Sequence, residues 1–374
     1  MAEPVLAVED LRVEFPTPAG VVRAVDGVSW SVRPGETIGI VGESGSGKSV
    51  SALAVMGLVP SPGRVTSGRV LFGGRDLLPL RERDLRRVRG REVAMIFQDP
   101  LSSLNPVFKV GVQVAEAVRA HHRVGRVAAR ARAVELLQEV GVPDPRRRAD
   151  QYPHQFSGGM RQRAMIAIAL AGDPKVLLAD EPTTALDVTV QAQILELLAR
   201  LRRDRQMSVV FITHDMAVVA GQAERVLVMY AGRVAEVGAA EPVFSSPGHA
   251  YTLGLLQSVA HLDGVRGRPL EPIPGQPPSL VRLPPGCPFH PRCRFATESC
   301  RRDVPALTPQ PGEGHAAACH EAEAVSRTRR LVATAGDAAY QRPPAQALLE
   351  VEDLVKHFPV TRGALFKHRI GSIR

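Results

Sequence analysis

A glycine-rich motif near the start of the chain has the residue types that phosphate binding requires. Residues 42–49 read GESGSGKS and combine three glycines with one lysine and several hydroxyls. Backbone N–H groups in such a loop turn inward around phosphates. Lys48 would supply a mobile cation for β- and γ-phosphates, and Ser49 a hydroxyl for Mg²⁺. We assign the loop's remaining phosphate contacts to Gly42, Ser44, Gly45 and Gly47.

Two consecutive carboxylates follow a second apolar run. Residues 177–182 read LLADEP, and α/β folds place their ligands at the carboxyl ends of such strands. Asp180 would hold Mg²⁺ directly or through water, and Glu181 would orient or deprotonate the attacking water. Consecutive acids before a proline could instead cap a helix. The apolar run before them and the TTALD sequence after them favour the catalytic interpretation.

Two further polar residues lie in the motifs FQDP (97–100) and ITHD (212–215). Alone, Gln98 could be a structural side chain and His214 a satisfied core histidine. Beside the other motifs, we assign Gln98 to metal and water sensing and His214 to the γ-phosphate.

The motif FSGGMRQR (156–163) predicts a second anion site, because a serine and two glycines open a helix there. One chain needs one such cradle for its own nucleotide. We therefore predict that Ser157, Gly158 and Gly159 face the γ-phosphate bound by a partner.

Strands and helices alternate around these motifs. Residues 5–15 and 21–33 alternate apolar and polar positions, which predicts two strands with one exposed face. Buried strands are predicted at 37–42, 176–180 and 208–215, helices after Lys48 and within 101–155, and a hairpin at Ala231-Gly232. This order indicates an α/β core with a mostly parallel sheet.

The chain changes character beyond residue 245. Proline and glycine become dense, and the four cysteines follow at Cys287, Cys293, Cys300 and Cys319. Their clustering indicates a local site, and four thiolates suit a [4Fe–4S] cluster or tetrahedral zinc. No pair of cysteines has the CxxC spacing of zinc ribbons. Free thiols are the third interpretation.

The opening of the chain recurs near its end. LLEVEDLVKHFPV (348–360) repeats the plan of VLAVEDLRVEFPT, with VEDL at 8–11 and again at 351–354. We expect residues 347–374 to begin a second, truncated domain of the same kind, after a polar linker at 321–346.

Composition excludes several classes of protein. No apolar run approaches the roughly 18 to 20 residues that a membrane helix needs, and the start of the chain offers no signal-peptide core. The net charge is +9, but arginine supplies most of the 47 basic residues and the densest basic run contains acids. We therefore expect a soluble, cytoplasmic chain that binds no nucleic acid; an anionic membrane face stays compatible with the charge.

Taken together, the motifs resemble those of ATP-binding cassette (ABC) transporter ATPases over residues 5–320. Residues 42–49 match the family's Walker A, Gln98 its Q-loop, residues 176–181 its Walker B and His214 its switch histidine. The D-loop matches residues 185–187 and implies that Asp187 joins the trans contact. The family's LSGGQ signature is FSGGM here, with Phe156 and Met160 changed. The resemblance also implies that Phe15 stacks on adenine.

FQDPLSSLNP, HQFSGGMRQR and the cysteine-rich tail are similar to the dipeptide/oligopeptide (peptide/nickel) importer branch. The resemblance implies an ABC-type P-loop NTPase fold with a RecA-like core, an antiparallel β subdomain and a helical subdomain at about 99–160. The cassette would span residues 1–245, and an irregular extension would span residues 246–320. The resemblance to the family's tail implies that the cysteines of this extension hold a cluster.

The implied activity is hydrolysis of ATP to ADP and phosphate, coupled to uptake of peptides or a related solute such as nickel. Partners would be a second ABC ATPase domain, possibly fused, two membrane permease subunits and an extracytoplasmic solute-binding protein. The chain would lie peripherally on the cytoplasmic side of the inner membrane. Rival readings are a soluble ABC ATPase, which usually carries a coiled-coil insertion or two complete cassettes, and an exporter, which commonly fuses membrane helices.

Overall fold

The fold of the described residues is built on two β-sheets. The computed structural model describes residues 3–99, 103–184, 186–258, 272–334, 351–356, 358–362 and 368–373. Most of these residues form one compact unit, and the described residues from 351 to 373 belong to a smaller one. None of the helices among the described residues is both long and apolar enough to cross a bilayer.

The strands of the larger unit follow the predicted order. β1 and β2 form the antiparallel pair that the early alternation predicts, and β3, β7 and β8 are the buried strands. The strands are β1 Leu6–Thr17, β2 Gly20–Val32, β3 Thr37–Val41, β4 Arg64–Phe72, β5 Arg75–Asp76, β6 Val93–Ile96, β7 Val176–Asp180, β8 Ser208–Thr213, β9 Arg225–Tyr230, β10 Arg233–Ala239, β11 Thr308–Pro309 and β12 Ala316–Ala317.

The helices lie between these strands. The region predicted to be helical at 101–155 contains α3, α4 and α5. The helices are α1 Lys48–Val55, α2 Glu82–Val88, α3 Val110–His121, α4 Arg126–Glu139, α5 Pro145–Arg148, α6 Gly158–Ala169, α7 Val188–Arg205, α8 Met216–Gln222, α9 Ala240–Ser245, α10 Ala250–Gln257, α11 Glu298–Arg302 and α12 Ala322–Thr334.

The larger sheet brings the motifs that follow its strands to one edge. Its strand order is β11-β12-β10-β9-β3-β8-β7-β6, and β9, β3, β8, β7 and β6 run parallel. The carboxyl ends of parallel strands meet at one edge of a sheet, so the residues after β3, β6, β7 and β8 become neighbours. The other sheet is antiparallel, in the order β2-β1-β4-β5.

The C-terminal extension contributes strands to the larger sheet. Its strand β12 pairs with β10 through Glu236 and Val237, and its apolar residues share a core with β9 and α8. The predicted linker begins as helix α12, in which Val325 is fully buried. Residues 335–346 of that linker lie outside the described residues.

The smaller unit carries the repeated sequence. Phe358–Arg362 (β13) pairs antiparallel with His368–Ile373 (β14). The repeated VEDL at 351–354 forms no strand, although VEDL at 8–11 lies within β1. β1 is held by β2 on one side and by β4 on the other, whereas β13 pairs only with β14 among the described residues.

Candidate ATP site

The glycine-rich loop joins β3 to α1. Two of its glycines make approaches that no side chain allows: a Cβ on Gly42 would lie 2.3 Å from the Met229 carbonyl oxygen, and one on Gly47 would lie 2.3 Å from that of Ala24. Gly47 also has a φ of 100°, in the left-handed region that glycine adopts readily. The sequence therefore closes the loop tightly against β9 and β2.

Lys48 lies inside this loop with its side chain buried. Its ammonium donates hydrogen bonds to the carbonyl oxygens of Gly42 at 2.6 Å and Glu43 at 2.9 Å. Burial lowers the pKa of Lys48, against the opposing effect of nearby carboxylates. The predicted phosphate cation is thus held at the centre of the loop by the loop's own backbone.

Ser49 in helix α1 and Asp180 at the end of β7 meet in the structure. The Ser49 hydroxyl donates to Asp180 Oδ1 at 2.9 Å. Burial raises the pKa of Asp180 to about 6, so a nearby cation would favour its ionised form. A hydroxyl and a carboxylate are oxygen donors of the kind that Mg²⁺ takes alongside substrate phosphates, so this pair fits the ion.

Glu181 is the centre of a second polar cluster. Its carboxylate accepts hydrogen bonds from Gln98 Nε2 at 2.9 Å and Thr184 Oγ1 at 2.8 Å, and His214 Nδ1 lies 3.1 Å away. Burial would raise the pKa of Glu181, but the bonds from Thr184 and His214 lower it overall. The carboxylate is therefore ionised and oriented, as a group that handles the attacking water must be.

The backbone at Glu181 turns the carboxylate into this cluster. Its φ is 45°, a left-handed value that costs a non-glycine residue about 1 kcal/mol or more. The Glu181 N–H donates to the Ile212 carbonyl oxygen at 2.8 Å, which fixes the turn against β8. Strain of this kind gathers at functional sites, where the surrounding structure holds it in place.

The Ser-Gly-Gly motif opens helix α6. Ser157 caps the helix by accepting a bond from the Met160 N–H at 3.3 Å, and Ser157 and Gly158 are exposed. A Cβ on Gly159 would lie 2.7 Å from Val190 Cγ1. The motif therefore presents a serine and bare backbone at a helix N-terminus, facing away from the core.

Asp187 lies beside this motif through the same valine. Asp187 caps α7 by accepting from the Val190 N–H at 3.0 Å. The structure thus brings Asp187 close to Gly159. Ala185, the first residue of the predicted D-loop, lies outside the described residues.

The two departures from the family signature point into the core. Phe156 is 3% exposed and Met160 packs against the same apolar cluster. The polar positions between them stay at the surface. The substitutions therefore lie in the packing beneath the motif, whereas Ser157 and Gly158 stay exposed.

Phe15 lies near the end of β1 and is half-buried. It pairs with Val22 of β2, two residues from the Ala24 carbonyl that contacts Gly47. Its ring also packs against Gly63, where an added Cβ would lie 2.3 Å from it. Phe15 is thus one strand away from the phosphate loop, and its stacking on adenine stays a prediction.

The four cysteines surround one small cavity. Cys287 and Cys300 are buried, Cys293 and Cys319 are partly buried, and all four are free thiols. Burial raises the pKa of the Cys287 thiol. It also raises the pKa of Cys293 to about 11 and that of Cys319 to about 12. Within the described ranges, no group of three or more His, Cys, Asp or Glu side chains is arranged to hold a single metal ion.

Sequence reasoning missed three residues of the site. Thr184 orients Glu181, and its only sequence signal is its position in TTALD. Arg292 and Tyr251 reach Glu43 of the phosphate loop from the extension. No local pattern predicts those contacts, because the partners lie 249 and 208 positions apart.

Comparisons with known proteins show which family the chain belongs to. The ABC transporter family matches residues 25–184, and the oligopeptide/dipeptide transporter C-terminal region matches residues 235–300. The dipeptide transport ATP-binding protein DppD of Bacillus subtilis is 52% identical over 82% of this chain and 91% of its own length. The oligopeptide transport ATP-binding protein OppD of Mycobacterium tuberculosis is 46% identical over 99% of this chain and 61% of its own length.

The fold has a solved counterpart. The dimeric, post-hydrolysis structure of the ATP-binding cassette MJ0796, bound to ADP and Pi, matches with a TM-score of 0.57 and 28% identity. The match covers 63% of this chain and 98% of that one. The chain therefore belongs to the family of ABC transporter ATP-binding proteins, and it is an ATPase with the ABC-type cassette fold.

Proposed function

We propose that this chain is the ATP-hydrolysing subunit of an importer for dipeptides or oligopeptides. The observation that carries the proposal is the pairing of two clusters at one sheet edge: Ser49 with Asp180, and Glu181 with Gln98, Thr184 and His214. The peptide class rests on the DppD and OppD relatives and on the matching C-terminal region.

In this mechanism the chain's own residues position charge. Mg²⁺, when bound by Ser49 and Asp180, neutralises charge on the transferred phosphoryl group. Lys48 and the loop N–H groups hold the phosphates. Glu181 orients the attacking water or takes its proton. Gln98 and His214 fix Glu181 and complete the contacts on the γ-phosphate side.

The second half of the site would come from a partner ATPase domain. Ser157, Gly158, Gly159 and Asp187 are supported as the trans contact because they lie together at exposed helix N-termini. The dimeric cassette MJ0796 is the precedent for the fold. Closing the two domains would move two permease subunits in the inner membrane. An extracytoplasmic solute-binding protein would deliver the solute to these subunits.

We further propose that the four cysteines hold a [4Fe–4S] cluster, with zinc as the alternative. Four thiols around one cavity support either group. A single zinc would draw the four sulfurs to within about 3.8 Å of one another, given Zn–S bonds of about 2.3 Å. A cluster would spread the same four ligands over four irons.

The cluster is tested by iron and sulfide quantitation after anaerobic purification. We expect about four irons per chain and a broad visible absorption band, both lost in Cys300→Ser. Colourless protein that contains one zinc would replace the cluster with the alternative.

The transported solute is tested in cells. We would delete the coding sequence, restore it as wild type or Glu181→Gln, and measure uptake of a labelled dipeptide and of labelled nickel. Dipeptide uptake should return with wild type only. Recovery of nickel uptake alone would instead assign a nickel importer, and no effect on either would favour a non-transport ABC ATPase.

A further inference from the structure

A carboxylate stands within the phosphate loop, and the extension neutralises it. Glu43, the second residue of the loop, pairs with Arg292 through two bonds: Nη1 to Oε2 at 2.7 Å and Nη2 to Oε1 at 3.0 Å. A paired fork of this kind is the strong, directional form of an arginine–carboxylate contact. Arg292, which precedes Cys293 in the sequence, therefore forms an ion pair with the phosphate loop.

The Arg292 side chain has little freedom to do anything else. Only 8% of the residue is exposed. Its Nε donates to the Pro274 carbonyl oxygen at 2.8 Å and its Nη1 to the Tyr230 hydroxyl at 3.2 Å. The guanidinium also lies 5.9 Å from the ring centres of Tyr230 and Phe289. The extension thus preorganises the fork that receives Glu43.

The backbone of Glu43 connects the same two regions. Its N–H donates to the hydroxyl of Tyr251, a fully buried residue of α10, at 2.6 Å. Its carbonyl oxygen accepts from Lys48 Nζ at 2.9 Å. One residue is therefore held by the extension on one side and holds the phosphate-binding lysine on the other.

The charge of Glu43 gives this arrangement a consequence for ligand binding. A carboxylate in a loop that binds a triphosphate repels the ligand and attracts the ammonium that the ligand needs. Such interactions between charges are substantial within a few ångströms, because the site is shielded from bulk water. An arginine fork that engages both carboxylate oxygens counters both effects.

We infer that Arg292 is a positioning residue of the ATP site: it holds the Glu43 carboxylate away from Lys48 and the phosphates, so that nucleotide affinity depends on the cysteine-rich extension. The inference concerns ATP binding alone and does not depend on which solute is transported. Its failure is thus distinguishable from failure of the importer assignment.

The test is a double-mutant cycle on the full chain, with MgATP binding measured by calorimetry. Arg292→Ala should weaken binding by about tenfold to a hundredfold, because it frees the Glu43 charge. Adding Glu43→Gln should return affinity to within about threefold of wild type, because the charge that Arg292 controls is gone. In hydrolysis assays, KM should rise in Arg292→Ala while kcat changes little.

Controls separate positioning from folding. Arg302→Ala removes an exposed arginine of the same extension that pairs with Glu298, and it should bind MgATP like wild type. Arg292→Lys keeps the charge without the fork and should fall between wild type and Arg292→Ala. A double variant that fails to bind, by loss of fold or of affinity, overturns the inference, as does unchanged binding in Arg292→Ala.

Discussion

The catalytic edge and the cysteine-rich extension contribute to one ATP site in different ways. The catalytic edge comprises Lys48, Ser49, Asp180, Glu181 and the side chains bonded to them; Lys48 and Ser49 open the helix after β3, and Asp180 and Glu181 lie at the end of β7. Among the described residues of the extension (residues 246–320), none is assigned to the phosphates or the water. The extension acts through Arg292 and Tyr251, which hold the backbone and charge of the phosphate loop.

The two regions should differ in which step of the ATPase reaction their substitutions affect. Residues of the catalytic edge should change the hydrolysis step or the direct binding of ligand and metal. Residues of the extension should change affinity only through Glu43. Substitutions in each region can therefore break or sharpen the distinction when affinity and turnover are measured separately.

The largest effect after loss of the general base is expected at Lys48. Lys48→Ala removes the buried cation at the centre of the loop, and MgATP affinity should fall by about a hundredfold or more. Lys175→Ala is the matched control, since Lys175 is exposed before β7 and pairs with Glu92. Equal losses in both variants, measured by calorimetry, would contradict the assigned role.

The next effect concerns pH and Asp180. Because burial raises the pKa of this carboxyl from 3.8 to about 6, protons and Mg²⁺ compete for it. Mg²⁺-dependent ATP binding should weaken by about tenfold per pH unit below about 6. Asp180→Asn should bind metal poorly at every pH and lose this dependence.

The same raised pKa sets the sign of a stability effect. The folded state holds this proton more tightly than the unfolded state. Without Mg²⁺, the free energy of unfolding should therefore fall as the pH rises from about 4 to about 6, and level off above that. Asp180→Asn should flatten this segment of the curve; an unchanged slope would assign it to other groups.

A smaller effect is expected at Thr184. Thr184→Val keeps the shape but removes the hydrogen bond that orients Glu181, so kcat should fall by about tenfold with KM nearly unchanged. Thr66→Val, in the antiparallel sheet, serves as the control. A rise in KM without loss of kcat would move Thr184 from chemistry to binding.

The smallest effect is expected beneath the signature motif. Phe156→Leu restores the family's residue at a buried position and should cost about 1 kcal/mol of unfolding free energy, since the core has formed around the larger ring. ATPase activity should stay within about twofold of wild type. A large loss of activity at wild-type stability would show that the phenyl ring shapes the exposed Ser-Gly-Gly backbone.

The sequence predicted where the side chains of the catalytic edge lie, because its signals are local; their roles stay predictions. A buried strand followed at once by Asp180 and Glu181, or by a glycine loop and Lys48, predicts both the fold and the location of the side chains. The hairpin at Ala231-Gly232 was predicted for the same reason, and both residues have the positive φ that a tight turn needs.

The extension was predicted poorly because its role depends on tertiary contacts. Proline density correctly indicated irregular structure, but nothing local shows that Arg292 meets Glu43 or that Val325 of the predicted linker is buried. The repeated VEDL shows the converse limit. The same four residues are strand at 8–11 and not at 351–354, since strand formation depends on the partners present.

The most direct test of the catalytic assignment is single-turnover hydrolysis by Glu181→Gln. The amide keeps the shape but cannot take the water's proton. MgATP should therefore bind as in wild type while hydrolysis falls by about a hundredfold to ten-thousandfold. Hydrolysis near the wild-type rate would contradict Glu181 as the water-handling group and, with it, the account of the site built around it.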